Sequence, residues 1–599
     1  MPELPLPVSR LAAVTDRWRR RGLSVIRRLA RVDESTILIG FAVAIGLSVG
    51  IGVILFYRLI DVAQMAALTA AARLSGTGRL SIVLVVLGGM LLAWWLVRWG
   101  ADDSDGQNIP DVMRAVAKRG GIIPTLPVLA KTAAAGLLIG TGGNVGAEGP
   151  VAVAGAALGS RLGQFFRSGG ARLKVLIACG AAAGISAAFN APIAGVFFAL
   201  EKILGTFGVA SFPPVLVSSV IAAAISRAAF GNSPVIEIPT EYGLGAPVDL
   251  VFYALLGIAT GVMAVLYTRT VHRTGDVVRR IGSRWQQIVV AALVVGTLNV
   301  AFRADLWGRG HESLSLSIIG AREAWFLVAL AFAKLIATSW AVSATRSGGV
   351  FTPALFIGAT LGGGLGVAGA EMFPELGLVP EAFALAGMAG VIAGSTHAPL
   401  TALMIVFEMS GDYNLILPIM LTAAIAYLFA KKLHPHSIYS EWLVRRGEQI
   451  DSGRDTSVLE RLAVGEAYNR APVRLAENAT VDDILAAIGT STPTEFPVVT
   501  ADGVVLGMIT YSDIRAVLPQ AKALAGVLVA ADLAHDDVDA VTPADSLGTA
   551  LKHLGVHGAQ YIPVVAGGPS GQLLGLISRL EIFAAYDRAL LRRDPDEPR

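Results

Sequence analysis

Eight stretches of this 599-residue chain contain no Asp, Glu, Lys or Arg: residues 35–57, 80–97, 175–200, 203–226, 250–268, 347–370, 382–407 and 413–430. About twenty apolar residues cross the hydrocarbon core of a bilayer as a helix. One soluble core cannot bury so many runs of that length, so the chain reads as a multi-pass, helical membrane protein. Charged residues make up 16% of the sequence, against about a quarter in soluble domains.

A basic arm precedes the first run, with Arg10, Arg17, Arg19, Arg20, Arg21, Arg27, Arg28 and Arg31. A cleavable signal would place its apolar core close behind the first basic residues, and here it comes too late. Basic flanks stay on the cytoplasmic side, which predicts cytoplasmic termini and a cell (inner) membrane location. The net charge of +3 gives no reason to expect nucleic acid as a partner. Cys179, the single cysteine, reads as a small buried hydrophobe. Neither a Cys/His metal cluster nor a Ser-His-Asp spacing is apparent, so no enzyme chemistry and no required cofactor are expected.

Composition shifts near residue 445, and beyond a boundary at about 450 short apolar strands alternate with helical periodicity. The expected division is an arm over 1–34, a membrane domain over 35–445, a linker over 446–464, and two modules over 465–520 and 530–590. The membrane part repeats itself, about 35–230 against 250–440. Pro150, Gly155, Gly159 and Gly163 share their spacing with Pro353, Gly358, Gly362 and Gly366. Asn190-Ala191-Pro192 precedes Glu201 as His397-Ala398-Pro399 precedes Glu408. Duplicated halves with interrupted helices are a transporter pattern, with the binding site near mid-membrane between them. Glu201 and Glu408 are expected to brace structure, and His397 to satisfy backbone.

Three glycine-rich loops end in Pro: Gly-Gln-Asn-Ile-Pro at 106–110, Gly-Ala-Glu-Gly-Pro at 146–150 and Gly-Val-Phe-Thr-Pro at 349–353. Pro suits the first helical turn, and a helix start offers unpaired N–H groups and the positive dipole end. Three converging starts would hold an anion without a full positive charge, and weak binding with fast release is what conduction requires.

These loops, with the stretches 189–201 and 397–420 and the tyrosine of Ser-Ile-Tyr-Ser at 437–440, resemble the CLC family of chloride channels and Cl−/H+ antiporters over roughly 35–445. The resemblance implies a homodimer with one pore per subunit, each an inverted repeat of intramembrane helices. It implies chloride held by the amides of Val350 and Phe351 and by the Tyr439 hydroxyl, with Gln107 and Gly149 alongside. Glu148 becomes the gating glutamate, whose carboxylate occupies an anion site until protonated or displaced; its other reading is a structural helix cap. Many family members have serine in the first loop, where this chain has Gln107. Proton-coupled members commonly carry a glutamate where this chain has Lys202, so Lys202 is a proton-path candidate, a mark of lost coupling, or a snorkelling lysine. Chloride/proton antiport, an uncoupled voltage- or pH-gated chloride channel, and a cation carrier of the magnesium type regulated by its tail are the three readings to separate.

The tail repeats too. Phe496-Pro497-Val498-Val499 leads to Thr510-Tyr511-Ser512-Asp513, and Ile562-Pro563-Val564-Val565 leads to Ser578-Arg579-Leu580-Glu581. This resembles a tandem of CBS modules of α/β type, which implies a possible adenine nucleotide, its ribose held by Thr510, Asp513, Ser578 and Glu581. The same residue types are preferred as helix N-caps, and both readings stand.

Overall fold

The computed structural model describes residues 34–592, apart from 75–78, 102–107, 119, 167, 169, 232–248, 303–304, 308–321, 449–458, 460–461, 490–494, 521–526, 536–538, 557–558 and 568–570. The basic arm, Gln107 and most of the linker lie outside the described residues. The chain forms two compact units, Met1–Ser452 and Gly453–Arg599.

The first unit is helical. Its first half contains α1 (Glu34–Arg73), α2 (Leu80–Ala101), α3 (Ile109–Lys118), α4 (Thr125–Gly140), α5 (Glu148–Phe165), α6 (Gly170–Phe189), α7 (Pro192–Phe198) and α8 (Phe212–Phe230). The second half contains α9 (Asp249–Arg280), α10 (Arg284–Ala301), α11 (Ala324–Thr345), α12 (Phe351–Met372), α13 (Pro380–Thr396), α14 (Pro399–Ser410), α15 (Ile416–Leu433) and the short α16 (Ser440–Val444). Among the described residues eight helices are long and apolar enough to span a membrane. They differ from the eight uncharged runs in one instructive way. The run 382–407 is two helices, α13 and α14, broken at His397, whereas α11 spans although Lys334 interrupts its apolar sequence.

The sequence repeat becomes a repeat of packing. Helices α5 and α6 cross so closely that a Cβ on Gly155 would lie 2.1 Å from the Gly180 carbonyl oxygen; in α12 and α13, a Cβ on Gly358 would lie 2.3 Å from that of Gly387. Small residues allow this approach where lipid offers no hydrophobic drive between helices. Asn190 and His397 end α6 and α13 in the same left-handed conformation, φ 55° and 54°. His397 thus acts through its backbone conformation. Pro192 and Pro399 then start α7 and α14. The two glutamates brace these starts crosswise. Glu408 accepts the N–H groups of Ile193 and Ala194 at 3.0 and 2.7 Å. Glu201 accepts the N–H and hydroxyl of Thr401 at 3.0 and 2.7 Å. Such a reciprocal exchange relates the halves by a pseudo-two-fold axis.

In the second unit β1 (Leu475–Ala476) pairs parallel with β2 (Glu495–Val499), which pairs antiparallel with β3 (Val505–Thr510). Strands β4 (Tyr561–Ala566) and β5 (Gln572–Ser578) form a matching antiparallel pair. Register places Phe496 beside Ile509 and Ile562 beside Ile577, and each pair shifts register at its Val-Val step. Each pair leads into a helix, α17 (Tyr511–Val517) and α18 (Arg579–Arg592), and each helix seals its own small apolar core.

Candidate functional site

The starts of α5 and α12 meet at the junction of the halves. Gly146 and Gly349 exchange N–H···O=C bonds at 2.8 Å in both directions, so the two glycine loops form one antiparallel bridge. A Cβ on Gly149 would stand 3.0 Å from the Gly349 Cα. The Glu148 side chain lies under this bridge with no solvent exposure. Its Oε1 accepts the Phe351 N–H at 2.6 Å, and its Oε2 accepts the Thr352 hydroxyl at 2.5 Å. A carboxylate from one half is therefore bound at the helix start of the other, where the dipole and free N–H groups favour negative charge. Glycine is required around it: a Cβ on Gly146 would fall 2.4 and 2.5 Å from the two carboxylate oxygens.

Next to the carboxylate lies a cavity of about 90 Å³ lined by Asn108, Gly149, Gly349, Val350, Ile438 and Tyr439 among others. The Tyr439 hydroxyl is buried and, among the described residues, has no hydrogen-bond partner. Buried donors are nearly always satisfied, so this phenol fits an acceptor small enough for the cavity, such as a monovalent anion. Ile438 N–H donates to the Ser395 carbonyl at 2.8 Å, fixing the segment that carries Tyr439. The Tyr267 hydroxyl donates to the Val350 carbonyl at 2.9 Å, fixing the start of α12.

A wider cavity of about 280 Å³ adjoins this one, sharing Asn108, His272 and Trp442 and adding Arg279, Arg346, Arg445 and Arg446. Arg445 holds Glu441 and Asp276, each at 2.8 Å, and Arg446 lies 3.6 Å over the Trp442 ring. A cleft lined by positive charge raises the local concentration of anions.

A polar hub supports the bridge from behind. Lys334, buried in α11, donates to Asn144 Oδ1 at 2.7 Å and to the Leu306 carbonyl at 3.0 Å, and lies 4.8 Å over the Phe356 ring. Asn144 is held in the left-handed conformation, φ 56°. Its carbonyl accepts the Thr338 hydroxyl at 2.9 Å, and Asn299 donates to the neighbouring Gly142 carbonyl at 3.2 Å.

Comparison with known families agrees with this architecture. A family model described as voltage gated chloride channel matches residues 88–431, and the CBS domain model matches 464–520 and 529–588. The chain belongs to the CLC family. It is a multi-pass membrane protein of CLC fold with a CBS pair, and its family transports anions, which retires the cation-carrier reading. A putative chloride channel protein ClcB-like of Ralstonia nicotianae is 32% identical over 61% of this chain and 85% of that protein. The H(+)/Cl(-) exchange transporter ClcA of Yersinia pseudotuberculosis is 29% identical over 74% of this chain and 94% of that protein. A slow cyanobacterial Cl-/H+ antiporter superposes with a TM-score of 0.62 at 25% identity, over 68% of this chain and 97% of that one. A eukaryotic CLC transporter covers 91% of this chain, TM-score 0.61 at 19% identity, a likeness of fold.

Within this CLC chain, Gly149, Val350 and Tyr439 line the same small cavity, and Phe351 and Glu148 are joined by a hydrogen bond. Lys202 is not with them. It is buried in the π-helical turn Ala199–Leu204 that continues α7, beside Glu201, and lines neither cavity. Thr352, Tyr267 and the Lys334 hub were not anticipated from sequence. Lys334 did leave a trace, as the lone charge in α11. Tyr267 left none, since an aromatic in an apolar run reads as core.

In the CBS pair the four candidate nucleotide residues form two helix caps. Thr510 N–H and hydroxyl both donate to Asp513 Oδ2, at 2.8 and 2.6 Å, and His535 lies 3.0 Å from Asp513 Oδ1. Ser578 and Glu581 repeat the arrangement. Burial pushes the Asp513 carboxyl up, but the donors from Thr510 and His535 outweigh it and hold it below the usual carboxylate range.

Proposed function

We propose that this CLC protein carries chloride across the cell membrane, with Glu148 as a gate that competes with the ion for one site. The observation that supports this most directly is the binding of the Glu148 carboxylate by the Phe351 N–H and the Thr352 hydroxyl. An anion held at a helix start beside an unpartnered phenol is a pore blocked by its own ligand. Protonating Glu148 removes its charge, weakens both bonds and frees the path. The Val350 and Phe351 amides, Gly149 and Tyr439 then hold chloride in transit. Gln107 directly precedes Asn108 in the sequence, and Asn108 lines the cavity. An intramembrane carboxylate is functional by default.

The ClcA relatives support proton counter-transport, and on that reading Glu148 carries protons as well as blocking chloride. The place of Lys202, off both cavities and without a second carboxylate, favours an uncoupled channel as the second reading. The protein acts as a homodimer in the inner membrane with cytoplasmic termini, so the arginine-lined cavity faces the cytoplasm. The CBS pair modulates transport, with Thr510, Asp513, Ser578 and Glu581 exchanging their cap contacts for the ribose of an adenine nucleotide.

Proteoliposomes loaded with chloride test both levels. Glu148→Ala should give chloride efflux that no longer varies with pH; an unchanged pH profile rejects the gate. Uphill proton movement driven by a chloride gradient, with valinomycin present, is expected of the exchanger. Chloride flux with no proton movement selects the channel.

A further inference from the structure

The second carboxylate oxygen of Glu148 is bound by a side chain outside the proposed set of chloride ligands Gly149, Val350, Phe351 and Tyr439. Thr352 is 4% exposed, and its hydroxyl is the side-chain donor to Glu148. The bland role for a buried helical threonine is to donate to the carbonyl four residues back. Thr260, Thr268, Thr345, Thr360 and Thr396 all do so. Thr352 is the second residue of α12, where no helical carbonyl precedes it, and it turns to the carboxylate instead. The contact has a consequence when the carboxylate leaves. The Phe351 N–H and the Thr352 hydroxyl, both buried, then lose their acceptor together. Buried donors without an acceptor are unfavourable, and an anion in the vacated place satisfies both.

We infer that Thr352 is a ligand of whichever anion occupies the site, the Glu148 carboxylate in the closed state and chloride in the open state. The inference rests on the reading of Glu148 as the gate. The hydroxyl strengthens both occupants, so its removal weakens chloride binding and also loosens the gate. These two effects are measured separately.

The first measurement is chloride binding by titration calorimetry in the Glu148→Ala background, where the gate cannot compete. Adding Thr352→Val, which keeps the shape and removes the donor, should weaken binding about tenfold, while Thr352→Ser should leave it near the parent. The second is the pH profile of chloride flux with Glu148 present. Losing a donor to the ionised form favours protonation, so Thr352→Val should move the half-maximal pH up by about one unit. Flux itself reports that each variant is folded. Equal chloride affinity with and without the hydroxyl overturns the inference, as does a pH midpoint that stays in place. A Glu148→Ala protein that retains the parent's pH profile instead overturns the gate reading, and the affinity comparison still decides whether Thr352 binds chloride.

Discussion

Gly146→Ala changes the space available to the Glu148 carboxylate, the proposed gate, and little else. A Cβ at this position would meet Glu148 Oε2 at 2.4 Å, Oε1 at 2.5 Å and Cδ at 2.8 Å, its three nearest neighbours. Alanine keeps the N–H and carbonyl that bridge to Gly349, and the backbone of Gly146 does not have the positive φ that would penalise a side chain. The clash therefore falls on the carboxylate. Carbon and oxygen in contact need about 3.5 Å, so the carboxylate must retreat by about 1 Å. Bonds of 2.6 Å to Phe351 and 2.5 Å to Thr352 then stretch past useful geometry. Each hydrogen bond to a charged group is worth about 1.5–3 kcal/mol. Losing both biases the gate open by about 3–6 kcal/mol, a factor of about 10² or more in occupancy of the seat. The assay is chloride efflux from proteoliposomes across a pH series. Gly146→Ala should conduct at neutral pH about as Glu148→Ala does, with a flattened pH response. Adding it to Glu148→Ala should change nothing further, because the clashing group is gone; coupled residues fail to add in this way. A Gly146→Ala protein with the parent's pH profile would refute the argument that the glycine makes room for a seated carboxylate.

Three further substitutions probe the frame around the gate. Glu408→Ala uncaps the Ile193 and Ala194 N–H groups and should lower stability by about 1–3 kcal/mol per stranded donor, read as a lower melting temperature in detergent; Glu408→Gln, which keeps one acceptor, should lose less. Lys334→Met strands Asn144 Oδ1 and the Leu306 carbonyl, and a melting temperature unchanged from the parent would contradict the hub. In the tail, Asp513 is held below the usual carboxylate range, so its stabilisation is complete above the unfolded value near 3.9 and is lost as pH falls through the lower folded value. Amide exchange of the helix Tyr511–Val517 in the full chain should be faster in Asp513→Ala than in the parent at about pH 6, with the difference shrinking as pH falls through the lowered folded value.

Why some of this was legible and some was not follows from how far each determinant lies along the chain. Glycine spacing, proline at helix starts and uncharged runs are local, and they carried the repeat and the broken helices and singled out Glu148 as a candidate. The partners of those features are remote. Glu148 bonds to residues 203 and 204 positions away, and Glu408 caps a helix 215 positions back. The repeat could suggest that Glu201 and Glu408 play matching structural parts, but only the fold shows that each serves the other half. Uncharged runs also misjudge single helices. A lysine whose ammonium finds a carbonyl and an amide oxygen, as Lys334 does, is compatible with a spanning helix, and a run with Asn190 or His397 at its centre is not one helix.

Lys202 shows the same limit from the other side. Its position in the motif makes it a proton-path candidate because neighbouring sequence matches a family pattern. Its location is decided by the π-helical turn, which carries α7 on to Gly205 in the left-handed conformation and leaves Lys202 buried beside Glu201. Lys202 lines neither of the two cavities at the site. The arginine-lined cavity approaches Tyr439 and the helix starts by a separate route. On the proposed reading chloride reaches the site through that cavity, and Glu148 is the group at which chloride and a proton meet. With Glu148 as the proposed gate, coupling arises at that one carboxylate, which chloride would displace and a proton would release.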